Sequence, residues 1–110
     1  MAIWRGVVID RRQRIAELAA AIEELRLYRP ASKADVGRWY ERARELEARL
    51  VVQGGLSPEV PSILWNYLAD ADVRFKDAEY ADLQDRQMRL LVQCLKRGEI
   101  PSDEEIKKYN

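Results

Sequence analysis

SILWNYLADADVRFKDAEYADLQDRQMRLLVQCLKR, residues 62–97, is the stretch that decides the fold. It holds neither glycine nor proline, so local rules alone permit one helix along its whole length. The phase of its apolar residues argues otherwise. At 100° per residue, the face carrying Leu64, Leu68, Ala71 and Phe75 lies about 180° from the face carrying Tyr80, Leu83, Leu90, Leu91 and Cys94. A straight helix would turn its apolar stripe to opposite sides along its two halves. The reading therefore places a break near Lys76-Asp77, with Asp77 capping the next helix; the rival is an unbroken rod whose halves grip different partners, as in an intertwined dimer.

Upstream, Ser57-Pro58 has the form of an N-cap followed by proline at the first helical position, with Pro61 as the alternative start. Ile63, Leu64, Tyr67, Leu68, Ala71 and Phe75 then form the apolar face of a helix over 58–76. Before it, Ser32 opens a helix over 32–53 with Asp35 as capping-box partner. Val36, Trp39, Ala43, Leu46 and Leu50 recur along it at steps of 3 and 4, and Gly54-Gly55 stops it. The first helix spans 10–28. Asp10 caps it, with Gln13 three residues on, Ile15, Leu18, Ile22 and Leu25 form its seam, and Pro30 limits its end. A loop of about three residues between the first two helices implies an antiparallel hairpin. Downstream, 77–97 is a fourth helix ended by Gly98, and Ser102-Asp-Glu-Glu105 is a capping box that starts a short helix or tail over 102–110. Residues 1–9 are apolar at Ile3, Trp4 and Val7–Ile9; whether helical or extended, they should dock on this chain or another. The expected fold is one all-α domain over 1–110: a small antiparallel four-helix bundle of two helical hairpins, with a short C-terminal helix or tail.

Composition narrows the chemistry. The 110 residues carry 47% hydrophobic and 35% charged side chains, a globular rather than disordered mix. Lys+Arg and Asp+Glu are 19 each, so no strong pull toward nucleic acid or an anionic membrane follows. Residues 1–56 carry 11 bases and 8 acids and residues 57–110 the reverse, +3 against −3, enough to orient two surfaces and too little for a phosphate-binding face. There is no histidine, which removes the commonest general base and metal ligand. The single cysteine, Cys94, excludes an internal disulfide and reads as a small apolar core residue. No segment has the length for a membrane span, and the N-terminus lacks the pattern of a secretory signal, so the expected location is cytoplasmic, in a protein expected to be bacterial or viral.

The acidic run Asp70, Asp72, Asp77, Glu79, Asp82 and Asp85 lacks the glycine and spaced oxygens of a calcium loop. Asp82–Arg86 and Asp85–Arg89 instead have the i,i+4 order that braces a solvated helix face. Arg38, Arg42 and Arg49 border the second helix beside Trp39 and Tyr40, a pattern that can serve nucleic acid, but Glu41, Glu45 and Glu47 stand among them. Trp65 falls about 120° off the apolar face of its helix, either as an interface anchor or as a side chain covered within the monomer.

One stretch carries a family resemblance. Arg44-Glu45, then Gly55-Leu-Ser-Pro-Glu59 leading into an apolar helix, with Gln84 and Gln87 beyond, resembles the small all-helical chorismate mutases over roughly residues 40–87. The resemblance implies an intertwined helical dimer that surrounds a dianionic substrate with cations, with Arg11, Arg44, Glu45 and Gln87 as candidate site residues. The sequence departs from that family where Pro30 interrupts the region of its long first helix.

The reading these features support is a non-enzymatic module that binds another protein as a small subunit, adaptor or inhibitor, with homodimerisation a further option. Its expected contacts are Trp65, Tyr67 and Trp4, with Arg38, Arg42 and Arg49 at the rim. No cofactor, metal or membrane partner is expected. A nucleic-acid-associated protein and a chorismate-mutase-like enzyme are the alternatives.

Overall fold

In the computed structural model, residues 10–52 and 55–108 are described, and over them the chain is all-helical. The helices are α1 (Arg11–Leu27), α2 (Lys33–Val51), α3 (Ser62–Ala69), α4 (Ala71–Lys76), α5 (Ala78–Lys96) and α6 (Asp103–Lys107). No helix among the described residues is long and apolar enough to cross a membrane. The segment 1–9, Trp4 included, and Gly54 lie outside the described residues.

The periodic seams of α1 and α2 become core. Ile15, Leu18, Ile22 and Leu25 from α1 are buried with Val36, Trp39, Ala43, Leu46 and Leu50 from α2. The two helices run antiparallel. The carbonyl of Leu25, near the end of α1, accepts the indole N–H of Trp39 at 3.1 Å, while Leu18 and Leu50 line one recess further along. Yet the main partner of α1 is α5, not α2. Arg26 reaches Asp85 at 3.2 Å, and Ile15 shares a recess with Leu95, so this pair is also antiparallel. Sequence proximity favoured α2 as the neighbour; the contacts of α1 run chiefly to α5.

Residues 62–97 break twice rather than once. At Asp77 the expected cap forms, its carboxylate accepting the Tyr80 N–H at 3.1 Å. A second break falls at Asp70, between α3 and α4. There the Tyr40 hydroxyl, from α2, sits 2.9 Å from the Ala69 carbonyl and 2.8 Å from Asp72 Oδ1. It also accepts the Asp72 N–H at 3.1 Å. A side chain from another helix thus supplies the hydrogen bonds that the interrupted ladder lacks, a recognised cause of a helix break. Phe75, expected in the core, is 41% exposed because α4 follows the new direction. The buried face of α5 is Gln84, Met88, Leu91, Val92 and Leu95, about a quarter turn from the expected one. Cys94 is accordingly half-buried rather than core, with an Arg97 N–H donating to its sulfur at 3.4 Å.

The linker after α2 is also reassigned. Ser57-Pro58 caps no helix: residues 56–60 form a turn in which the N–H groups of Glu59 and Val60 donate to the Leu56 carbonyl at 2.9 and 3.1 Å. That turn seats Leu56 and Val60 in the core. A Cβ on Gly55 would fall within 3.0 Å of the Leu50 and Val52 carbonyl oxygens, so only glycine fits the return of the chain. Gly98 ends α5 at φ 81°, the left-handed conformation expected of it.

The short terminal helix is docked, not frayed. Ser102 and Glu105 complete both arms of the capping box, and Ile106 is buried. Asp103 then does what Pro61, at the N-cap of α3, cannot: its carboxylate accepts the Ser62 and Ile63 N–H groups at 3.1 and 2.9 Å. Burial pushes this carboxyl up, but the two N–H donors outweigh it and hold it below the usual range. A depressed carboxyl stabilises the fold above its unfolded value of about 3.9 and ceases to as pH falls through its lower folded value. Asp103→Asn, which keeps an acceptor oxygen but loses the charge, should therefore cost about 0.3–1 kcal/mol at pH 7. In urea titrations its deficit should shrink as both proteins are taken below pH about 3.9; a deficit unchanged with pH would contradict the charged cap.

Candidate functional site

Two recesses with no lining residue in common stand out on the described surface. The first is a cavity of about 420 Å³ at the junction of α1, α2, α3, α4 and α5, lined by Arg26, Arg29 and Arg74 and by Tyr28, Trp39, Tyr67 and Phe75. Arg74 is its centre. The guanidinium lies 4.0 Å from the centroid of the Tyr67 ring and 4.7 Å from that of Trp39. Trp39 meets Tyr67 and Tyr40 edge-on, with centroids 5.5 and 5.7 Å away. Such stacking suits guanidinium, which is planar and weakly hydrated.

The hydrogen bonds of Arg74 go to neutral acceptors. Nη1 donates to the Tyr67 carbonyl and to Gln84 Oε1, both at 2.6 Å. Gln84, 2% exposed, passes the polarity on: its amide donates to Asp70 Oδ2 at 3.2 Å and to the Tyr80 hydroxyl at 2.9 Å. Tyr80 in turn donates to Asp70 at 2.5 Å. The carboxylate is one residue removed from the cation. Burial accordingly pulls the Arg74 guanidinium below its ordinary value, against the opposing fields of Tyr67 and Tyr40. The bond to Asp70, followed by burial, raises the Tyr80 phenol. Arg26, by contrast, is saturated, with Glu23 at 2.6 Å and Asp85 at 3.2 Å.

The second recess is a furrow between α1 and α2. Leu18, Ala21, Leu25, Leu46 and Leu50 form its floor, continued by Val52 and Leu56. Arg14, Glu17 and Glu24 stand on the α1 bank, and Arg42, Glu45 and Arg49 on the α2 bank. Beside it, Val51 and Val52 expose 64% and 51% of their surface.

The residues singled out from sequence divide between these places. Arg42 and Arg49 flank the furrow; Arg42 also stacks 4.4 Å over Tyr28. Arg38 stands apart from it, paired with Asp35 at 2.6 Å. Trp65 is half-buried and packs on the core. Tyr67 is 4% exposed and enclosed by Trp39 and Arg74, so a partner would meet it only through the cavity. Burial raises its phenol, against the field of Arg74. Of the residues implied by the enzyme resemblance, Arg11 pairs with Glu59, Arg44 is exposed, Glu45 lies in the furrow and Gln87 is half-buried on α5. Among the described residues, no group of three or more His, Cys, Asp or Glu side chains is placed to hold a metal ion. In the acidic run, Asp82 and Asp85 lie 3.9 and 3.8 Å from Arg86 and Arg89. Sequence reasoning missed Arg74 and Gln84 as a unit; their i, i+10 spacing across a helix break has no local signature.

Fold and recesses together define an all-α protein with one cationic aromatic cavity and one apolar furrow on its described surface. No protein-family model, curated protein or solved structure matches the chain.

Proposed function

We propose that the chain is a non-enzymatic helical interaction module, a small subunit, adaptor or inhibitor of a larger protein, and that the α1–α2 furrow receives an amphipathic helix of that partner. The furrow carries this reading. From Arg14 to Leu25 it follows α1 for about 17 Å, the length of about three helical turns. An apolar floor between charged banks is the pattern of helix-in-groove recognition. The banks bias the partner's charge: Glu17 and Glu24 outnumber Arg14 and favour basic residues on one flank of the incoming helix, and Arg42 and Arg49 outnumber Glu45 and favour acidic residues on the other. In this reading α3 and α4 act as one bent leg, which makes the scaffold an antiparallel four-helix bundle of two hairpins.

Ala21 lies midway along the furrow, where its two halves meet, and Val52 is exposed at its mouth, so glutamate at either site puts charge on the docking face without filling the core. Ala21→Glu and Val52→Glu should each weaken capture of the partner, cross-linked in the native host, by about tenfold or more. Arg38→Glu, off the furrow, should not. A partner retained equally by all three variants would remove the furrow from the proposal. A wild-type dimer in light scattering that Ala21→Glu dissociates would instead seat a second copy of this chain there.

A further inference from the structure

The cavity around Arg74 offers chemistry that the furrow does not. Burying a cation beside neutral acceptors is unfavourable, because a carbonyl and an amide replace only part of its hydration. Among the described residues no carboxylate forms an ion pair with Arg74. Both of its hydrogen bonds leave from Nη1, which keeps the remaining edge of the guanidinium for another acceptor. Arg29, on the same wall, is exposed and forms no ion pair or hydrogen bond with the described residues. The one acid lining the cavity, Asp85, is already taken by Arg26 and Arg89 at 3.2 and 3.8 Å. Phe75 adds a 41% exposed ring that the core does not use. A volume of about 420 Å³ falls within the range of small-molecule sites.

We propose that this cavity binds a small organic carboxylate with an aromatic or compact apolar body. The carboxylate accepts from Arg74 and Arg29, and the body lies against Phe75 and the neighbouring aromatic wall. Two cations without a carboxylate partner select an anion over its neutral analogue, since a guanidinium and a carboxylate form charge-assisted bonds about twice as strong as neutral ones. The rings select a planar apolar body over a bare inorganic ion. This site is independent of the furrow, and either can fail without the other.

The test takes the full chain and two probes that differ in charge, phenylacetate and phenylacetamide, followed through the assigned Trp39 indole N–H signal in NMR titrations. Phenylacetate should saturate, and phenylacetamide should bind at least about tenfold more weakly. Because Arg74 also packs on Trp39, Arg29→Gln carries the mutational arm. Its circular dichroism and melting should match wild type, and its affinity for phenylacetate should fall at least about fivefold. Arg38→Gln should bind as wild type does. Equal affinity for the two probes, unchanged binding by Arg29→Gln, or no saturation up to about 10 mM phenylacetate would each overturn the proposal.

Discussion

Trp39→Ala should leave little or no cooperatively folded protein at 25 °C. The indole is 1% exposed, it meets Tyr67 and Tyr40 edge-on, and Arg74 stacks on it. Removing it costs about 3–5 kcal/mol for lost transfer and the cavity left behind. The Leu25 carbonyl, which accepts the indole N–H at 3.1 Å, loses its partner as well, at about 1–3 kcal/mol where water cannot replace it. A domain of this size has about 5–15 kcal/mol in total, so most of its stability goes with one side chain. Trp39→Phe keeps an aromatic ring and loses only the N–H and some volume; it should stay folded and melt well above the alanine variant. Far-UV circular dichroism with urea titration gives both results. An alanine variant melting within about 4 °C of wild type, a loss of less than about 1 kcal/mol, would mean that the core does not centre on this residue.

The second large effect falls on Gln84. Leucine has nearly the same size and greater apolarity, so on burial alone Gln84→Leu ought to stabilise. The network predicts the reverse. Leucine removes one of the two acceptors of Arg74 and the amide donated to Asp70 and Tyr80. It leaves a half-buried cation and a carboxylate each less satisfied, and breaking such a network on one side costs about 2–4 kcal/mol. Denaturant titration of Gln84→Leu beside Met88→Leu, a volume-conserving change on the same buried face expected to cost under about 1.5 kcal/mol, separates the two explanations. If Gln84→Leu is the more stable of the pair, Gln84 is a misplaced polar residue rather than the link between α4 and α5.

These two side chains also mark how far the chain can be read without its fold. Trp39 was legible as core because it lies on the α2 seam at Val36 plus 3, and helical periodicity is a local property. The caps at Asp10, Ser32, Asp77 and Ser102 were legible for the same reason: each concerns a side chain and an N–H two or three residues away. Gln84 was not, because a glutamine inside a helix is ordinarily solvated and its burial depends on what crosses it. The cavity was hidden similarly. Arg29 belongs to the loop after α1 whereas Arg74 and Phe75 belong to α4, and Phe75 fits the apolar stripe of α3 until the chain bends at Asp70.

Sequence by itself therefore pointed to the all-helical class, the positions of α1, α2 and α5 to within about two residues, and a break at Asp77 in preference to an unbroken rod, because capping and apolar phase act over one or two turns. Tertiary structure decided the rest. The Tyr40 hydroxyl interrupts residues 62–76 at Asp70, Asp103 caps α3 from 40 residues away, and α5 displaces α2 as the chief neighbour of α1. Each of these is a contact between segments distant in sequence, whose energy depends on the geometry of packing and leaves no periodic trace in the chain.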